Sequence, residues 1–458
     1  MARGKKAEKM LTLEEKLERA LVPAEEQPYT IPGNWCWVFL QNLCLIPITD
    51  GTHKTPTYCD KENGVPFISA KDVTSQFINW ENVKYITKEL HEELYHRIAP
   101  QPNDILLAKN GTTGVAALVE NEKVFDIYVT LAVLRVNCAL VTPQYLFRLV
   151  NSPVCQNQFD EHLTGIGVPN LHLRDIKVTK IPLAPLLEQQ RIVDCIESLF
   201  AKLDEAKEKA QAVVDSFELR KSAILHKAFT GKLTEQWRKE HSVGMDSWKQ
   251  VKFGDLGVLE RGRSKHRPRN DPKLFGGKYP FIQTGDVARS GMYIVTHSQT
   301  LNEIGMEQSR MFPKGTLCIT IAANIGDVSI LTYDCCFPDS VVGFTPNDLT
   351  SSKFIYYMIS TIQRELEADA PATAQKNINL KILNDLIIDL PSRDEQNEII
   401  CVLEELFEKE QQAKAAAESV LDQIDIMKKA ILARAFRGEL GTNDPTEESA
   451  VELLKTVL

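Results

Sequence analysis

Two stretches of the chain carry apolar residues at steps that alternate between four and three. The first runs Ile192, Ile196, Leu199, Leu203, Ala206, Ala210, Val213, Phe217, and the second runs Ile399, Leu403, Leu406, Glu410, Ala413, Ala417, Val420, Ile424, Met427, Ile431. A period of 3.5 kept over several heptads predicts long helices joined along a left-handed coiled-coil seam. Each stretch begins in a Pro-containing segment (Pro182 and Pro185; Pro391) and stops at Gly231 or Gly438, as helix ends favour. Elsewhere the rhythm differs. Short apolar runs at Asp104–Ala108, 128–131 and Leu317–Thr320, set between turn residues, predict strands, and helical stretches over 143–163 and 353–368 follow them. A mixed α/β lobe therefore precedes each long helix.

The same order of signals occurs twice. Trp35, Val38, Leu40, Asn42 and Leu43 match Trp248, Val251, Phe253, Asp255 and Leu256, an offset of 213 from 35 to 248. Pro66-Phe67-Ile68 with Asp72-Val73 matches Pro280-Phe281-Ile282 with Asp286-Val287 at 214. From Asn170-Leu171 and Asn377-Ile378 onward the offset is 207 and stays there. Glu188-Gln189 recurs as Glu395-Gln396, and Ala223-Ile224-Leu225, Ala228-Phe229 and Gly231 recur as Ala430-Ile431-Leu432, Ala435-Phe436 and Gly438 without an insertion. Such a repeat defines the architecture before any single motif does. The lobes drift and the helices match.

The expected fold is α+β: two mixed α/β lobes separated by two long helices that form an antiparallel coiled coil, with a pseudo-two-fold internal repeat. The expected boundaries are an N-terminal helical extension at 1–28, a first lobe at 29–181, a helical segment at 182–240, a second lobe at 241–390, a second helical segment at 391–440 and a C-terminal extension at 441–458. Antiparallel pairing is the simplest closure for a repeat in which a lobe precedes each helix. A dyad near the middle of the seam sets Ala206 opposite Ala417 and Ala210 opposite Ala413, small against small. Arg220 and Glu410 interrupt the seams, and such polar positions can specify register. The alternative is that each helix packs only on its own lobe.

Length and composition narrow the classes. At 458 residues the chain is about three domain lengths. Hydrophobic residues at 43% and charged residues at 25% are globular values and exclude wholesale disorder. No apolar run approaches the roughly 20 residues of a membrane span, and the charged opening MARGKKAEKM is unlike a signal segment, so a soluble, intracellular protein is expected. Ten cysteines without CxxC spacing read as buried thiols. The net charge of −9 means that any nucleic-acid contact is local.

No catalytic motif fits these residues. No GxxxxGK[ST] phosphate loop is present, and Asn270-Asp271-Pro272 and Asn443-Asp444-Pro445 do not make the N-P-P-Y type of motif that grips a flipped adenine. His91 and His96 are five apart, which on a helix separates them by roughly 140° and breaks the HExxH geometry, so no metal site is expected.

Two variable lobes of about 150 residues alternate here with two similar helices. These begin PLAPLLEQQRIVDCIESLFAKLDEA and LPSRDEQNEIICVLEELF and end RKSAILHKAFTGKL and KKAILARAFRGEL. The pattern resembles the specificity subunits of type I restriction-modification enzymes over nearly the whole chain. The resemblance implies that each lobe is a target-recognition domain reading one half of a split double-stranded DNA site. It further implies that the helices space the lobes and dock two methyltransferase subunits, that restriction subunits join this core, and that the chain is not catalytic alone. S-adenosylmethionine, ATP and Mg would then belong to the partner subunits, and the setting would be the prokaryotic cytoplasm. Candidate DNA contacts in the second lobe are Arg261, Arg263, Lys265, His266, Arg267 and Arg269, with Asn324 and Lys376 in later loops; in the first they are His53, Lys54, Thr55, Lys109, Asn110, Thr112 and Thr113. Clustered cations neutralise phosphates, and arginine also reads guanine edges. An enzyme with an unrecognised nuclease or methyltransferase centre and a coiled-coil protein scaffold remain the other two classes.

Overall fold

The computed structural model describes residues 12–54, 56–163, 169–266, 268–322, 325–368 and 378–458, with side chains omitted at 364–368. The chain divides into two compact units, one made of Met1–Lys209 with Ser419–Leu458 and the other of Ala210–Glu418. Each unit therefore holds one lobe, the start of the helix that follows it and the end of the other long helix.

In the first unit a two-stranded antiparallel ribbon of Cys36–Phe39 and Lys180–Leu183 closes the lobe at its neck. One four-stranded sheet contains Thr49–Asp50, Leu131–Arg135, Asp104–Ala108 and Ala116–Leu118, and a second contains Tyr58–Cys59, Lys84–Thr87, Gly64–Ile68 and Asp126–Ile127. Asp104–Ala108 is buried on both faces, which is why its sequence DILLA does not alternate. Asp104 survives there because Arg135 of the neighbouring strand meets its carboxylate at 2.8 Å.

The second lobe, described on its own, repeats these pairings. Lys249–Lys252 and Ile387–Leu390 form its neck ribbon. Leu317–Thr320 pairs with Val328–Leu331 and Val341–Pro346 as Asp104–Ala108 pairs with Ala116–Leu118 and Leu131–Arg135. Phe275–Phe281 runs parallel to Cys335–Cys336, as Gly64–Ile68 runs parallel to Asp126–Ile127.

Two local expectations shift. The helical stretch at 143–163 is two helices, Pro143–Val150 and Pro153–Glu161, because Ser152 caps the second and Pro153 opens it. The strand expected at 128–131 lies later, at Leu131–Arg135.

The long helices span Leu186–Asp215 and Phe217–Phe229 in the first copy and an unbroken Arg393–Ala435 in the second. Ser216 interrupts the first copy. Its hydroxyl bonds back to the Ala212 carbonyl at 2.5 Å, and Arg220 donates to the Val213 carbonyl at 3.1 Å, so side chains enter the helical ladder. Gly231 and Gly438 follow the ends with φ of 73° and 75°, the left-handed stop for which glycine is favoured.

The seam is buried most where it meets a lobe. Ile192, Ile196, Ile399, Leu403, Ile424, Ala210 and Ala417 are buried, Leu199, Leu203, Ala206, Val213, Phe217, Leu406 and Ile431 are half-buried, and Ala413 and Val420 are exposed. Val193 and Phe200 in the first unit and Ile400 in the second are also buried, so the helix starts bury a wider face than a narrow seam requires. Packing of each helix on its own lobe thus holds for the starts. Within the second unit, Phe217 lies under Lys414, Arg220 meets Glu410 at 2.6 Å and Lys221 lies over Phe407, contacts that run in opposite chain directions. Setting Ala210 opposite Ala413 would instead have put Arg220 opposite Leu403, so the register is one heptad away from the expected one. At this register the two polar interruptions meet each other.

Among the described residues no helix is long and apolar enough to cross a membrane. All ten cysteines are free; five are buried, and Cys138 and Cys401 are exposed, so the expectation of buried thiols holds only in part.

Candidate nucleic-acid interface

The repeated Glu-Gln pair sets the foundation on which each lobe stands. Both residues are fully buried in both copies. Gln189 accepts from the Thr142 amide at 2.8 Å and donates to the carbonyls of Leu140 and Ala184, clipping a lobe loop to the helix start. Gln396 does the same with the Thr350 hydroxyl and the carbonyls of Leu349 and Pro391. Glu188 accepts from the indole of Trp35 at 2.7 Å and from Asn443 at 2.8 Å, and Glu395 accepts from Trp248 at 2.9 Å, Thr234 at 2.7 Å and Arg238 at 2.6 Å. Each glutamate thus joins its lobe's opening tryptophan to the segment that follows the other long helix. Sequence reading used this pair as a signature and missed its role; its signal was two polar residues repeated beside the buried Ile192 and Ile399.

On that base, equivalent loops follow the central strands. Gly114 donates its amide to Ala108 and Gly326 donates to Thr320, each closing a turn with φ of 87° and 80°. The loop is then tied to the end of its lobe, Leu171 to the Lys109 carbonyl at 2.8 Å and Ile378 to the Ile321 carbonyl at 3.0 Å. By these bonds Lys109 and Ile321, and Gly114 and Gly326, hold equivalent places in the two lobes. Asn324, Lys376, Thr55 and Arg267 lie outside the described residues.

In the first lobe Asp50, almost fully buried, gathers two cationic groups and an imidazole. Lys109 reaches it at 3.2 Å, His53 at 3.2 Å and Arg97 at 3.1 Å. The ammonium of Lys109 is therefore turned inward, while His53 and Arg97 remain open to solvent. Lys54 lies 3.5 Å from Glu93. Asn110 donates to Asn170 at 2.8 Å, and Thr112 is exposed at the loop tip with Thr113 half-buried behind it. Asn110 and Thr112 line a cavity of about 430 Å³ with Tyr58, Phe67, Lys84 and Tyr128, in which the Lys84 ammonium sits 4.1 Å from the Tyr58 ring centre. Tyr58, Lys84 and Arg97 were not singled out from the sequence; lysine alternating with aromatics around Lys84-Tyr85 was the available signal. His91, set aside as a metal ligand, hydrogen-bonds Asp126 at 2.6 Å. Burial pushes the Asp126 carboxyl up, against the pull of His91.

The basic loop of the second lobe is held against residues 337–341. A side chain at Gly262 would meet the Pro338 carbonyl at 2.3 Å, which explains the glycine. Arg261 donates to the Asp339 carbonyl at 2.7 Å and Arg269 meets the Asp339 carboxylate at 2.8 Å. His266 bonds Asp271 at 2.9 Å, and Asp271 caps the Lys273 amide at 3.0 Å; that cap, then His266, pulls the Asp271 carboxyl down. Arg263 and Lys265 have no ion-pair partner among the described residues. The loop thus presents Arg261 and Arg269, held by Asp339, beside Lys265, and all three are exposed. Among the described residues no cluster of three His, Cys, Asp or Glu side chains could hold a metal.

Comparison with known proteins places this arrangement. The profile described as "Type I restriction modification DNA specificity domain" matches residues 32–214 and 245–419. The chain is 22% identical over 428 residues to the EcoBI specificity subunit of Escherichia coli, covering 88% of this chain and 86% of that one, and 22% identical over 401 residues to the EcoKI specificity subunit of Escherichia coli K12, covering 83% of each. Its fold matches that of the HsdS subunit from Thermoanaerobacter tengcongensis with a TM-score of 0.63 at 23% identity, over 91% of this chain and 100% of the other. A chain from a structure concerned with assembly and conformational transition of the type I R-M system matches at 0.64 and 22%, over 90% and 100%. With more than half its length matched in two blocks, one per lobe, the chain belongs to the type I restriction-modification specificity subunits, DNA-recognition components that are not catalysts on their own.

Proposed function

We propose that each lobe reads one half of a bipartite double-stranded DNA target, and that the two long helices pair as an antiparallel coiled coil that spaces the lobes and docks two methyltransferase subunits. One observation carries this reading: the two lobes share a strand-pairing frame and a Glu-Gln joint, yet their loops present different side chains. A common frame with different tips suits two readers of different base sequences, because phosphate contacts position a protein and base contacts specify. The 43-residue helix rises about 65 Å at about 1.5 Å per residue, enough to set readers a duplex turn or more apart. In the second lobe Arg263, Lys265 and Arg269 supply phosphate or guanine contacts. In the first, His53, Arg97, Lys84 and the Asn110–Thr113 loop do so. S-adenosylmethionine, ATP and Mg belong to the methyltransferase and restriction partners, in a prokaryotic cytoplasm.

The test is retardation of duplex DNA by the chain in complex with its methyltransferase partner. Preference for a split motif over scrambled duplex supports the reading, and equal retention of both favours a protein scaffold. The isolated chain should neither cleave nor methylate DNA; cleavage by it alone would overturn the assignment.

A further inference from the structure

No metal cluster of His, Cys, Asp and Glu forms among the described residues, but the thioether of methionine is also a ligand. In the second lobe the Cys336 thiol lies 3.5 Å from the Met306 sulfur and 3.9 Å from that of Met311. Met306 stands on the short helix Glu303–Glu307, and Met311 on the strand Met311–Phe312, whose register sets it directly opposite Cys336. The turn between them is closed by the Ser309 amide on the Met306 carbonyl at 3.0 Å, and it folds both methionines over one cysteine.

A methionine that only fills a core turns its sulfur wherever space allows. Here both sulfurs face the same thiol. A thiol has a single proton to donate, so hydrogen bonding accounts for one contact and leaves the other. Two sulfurs that share one ion at about 2.3 Å lie about 3.8 Å apart at a tetrahedral angle and about 4.0 Å at a trigonal one. The observed spacings are close to these.

The surroundings suit an ion as well. Burial pushes the Cys336 thiol up, and the hydroxyl of Ser309, a residue 8% exposed and with no other partner for that group among the described residues, pulls it down. An oxygen therefore faces the sulfur cluster too. Phe281 and Leu301 are buried around Cys336, while Met306 and Met311 are half-buried and carry the cluster to the surface. The first lobe shows that the frame does not demand sulfur here. Asp126 pairs with Phe67 as Cys336 pairs with Phe281, and His91, from the helix after the neighbouring strand, meets its carboxylate at 2.6 Å.

We propose that Cys336, Met306 and Met311 bind one soft monovalent cation, Cu(I) or Ag(I). Thiolate and thioether ligands select such ions. As the sulfur–metal bond forms, the thiol proton leaves to solvent and no electron changes hands. The thiolate then cancels the single charge of the ion, whereas a divalent ion would leave an unpaired charge in an apolar shell. The proposal is independent of how the lobes read DNA.

The experiment is methyl NMR of the full chain with isotope-labelled methionine, in which the exposed Cys138→Ser and Cys401→Ser changes remove competing thiols and Cu(I) is supplied under argon as its bicinchoninate complex. Of the eight methionine methyl signals, those of Met306 and Met311 should move and stop moving at one equivalent. Met306→Leu and Met311→Leu identify the two by the loss of one signal each. Leucine keeps the volume of methionine, so the other signals should stay in place in both variants. Each variant should hold Cu(I) at least about tenfold more weakly against bicinchoninate, since losing even a supporting bond at a metal site costs that much. Zn(II) at the same concentration should leave both signals unmoved. No uptake of Cu(I), uptake with the Met306 and Met311 signals unmoved, or uptake undiminished in both leucine variants would overturn the proposal.

Discussion

Glu395 and Arg238 show how one pair can decide the stability of a lobe's neck. Their side chains are 0% and 6% exposed and 2.6 Å apart, with Thr234 and Trp248 taking the remaining carboxylate bonds. Removing one partner leaves a buried charge uncompensated, which is worth about 3–5 kcal/mol. Arg238→Met should therefore lower the urea midpoint strongly, whereas Arg238 changed to Met together with Glu395→Gln should recover much of the loss. At the basic loop of the second lobe, Lys265→Ala should flatten the slope of log K against log salt by about 0.9 if the ammonium meets one phosphate. An unchanged slope and affinity would remove that residue from the interface. These two sites also mark what a sequence can reveal at this scale. The basic run around Lys265 was visible because charge clusters locally, but the inward turn of Lys109 was not, since it depends on Asp50 in a distant strand.

At the scale of elements, the apolar period and the glycines located both long helices and their ends, because those signals are local. Register was not legible in the same way. Matching alanine to alanine ignored the interaction of Arg220 with Glu410, half-buried partners from different helices in the second unit. A double-mutant cycle with Arg220→Leu and Glu410→Leu should give a coupling of about 0.5–3 kcal/mol, with the double variant more stable than the singles predict. Zero coupling would mean that the pair does not fix register. The helices as a spacer can be tested too. One heptad inserted between Ala206 and Val213 keeps the seam in phase and adds about 10 Å, so the unread gap of the DNA site should grow by about one to three base pairs. Preserved binding with an unchanged gap would contradict the spacer role.

For the whole molecule, the repeat was the most legible feature, and it leads furthest. Offsets that drift through the lobes and lock in the helices anticipated two lobes with one pairing frame. The six-segment division drawn from the sequence does not show that each compact unit takes the start of one helix and the end of the other, because which helix ends meet is a tertiary property. The base sequence read by each lobe is likewise absent from the pattern, since it depends on loop geometry and DNA shape. The central claim is that one lobe reads one half-site. It is tested most directly by replacing residues 29–181 with the corresponding lobe of another family member and mapping methylated adenines across the genome of a strain carrying the hybrid and its partner subunits. The account predicts a split motif with one half changed and the other kept; a motif altered in both halves would contradict it.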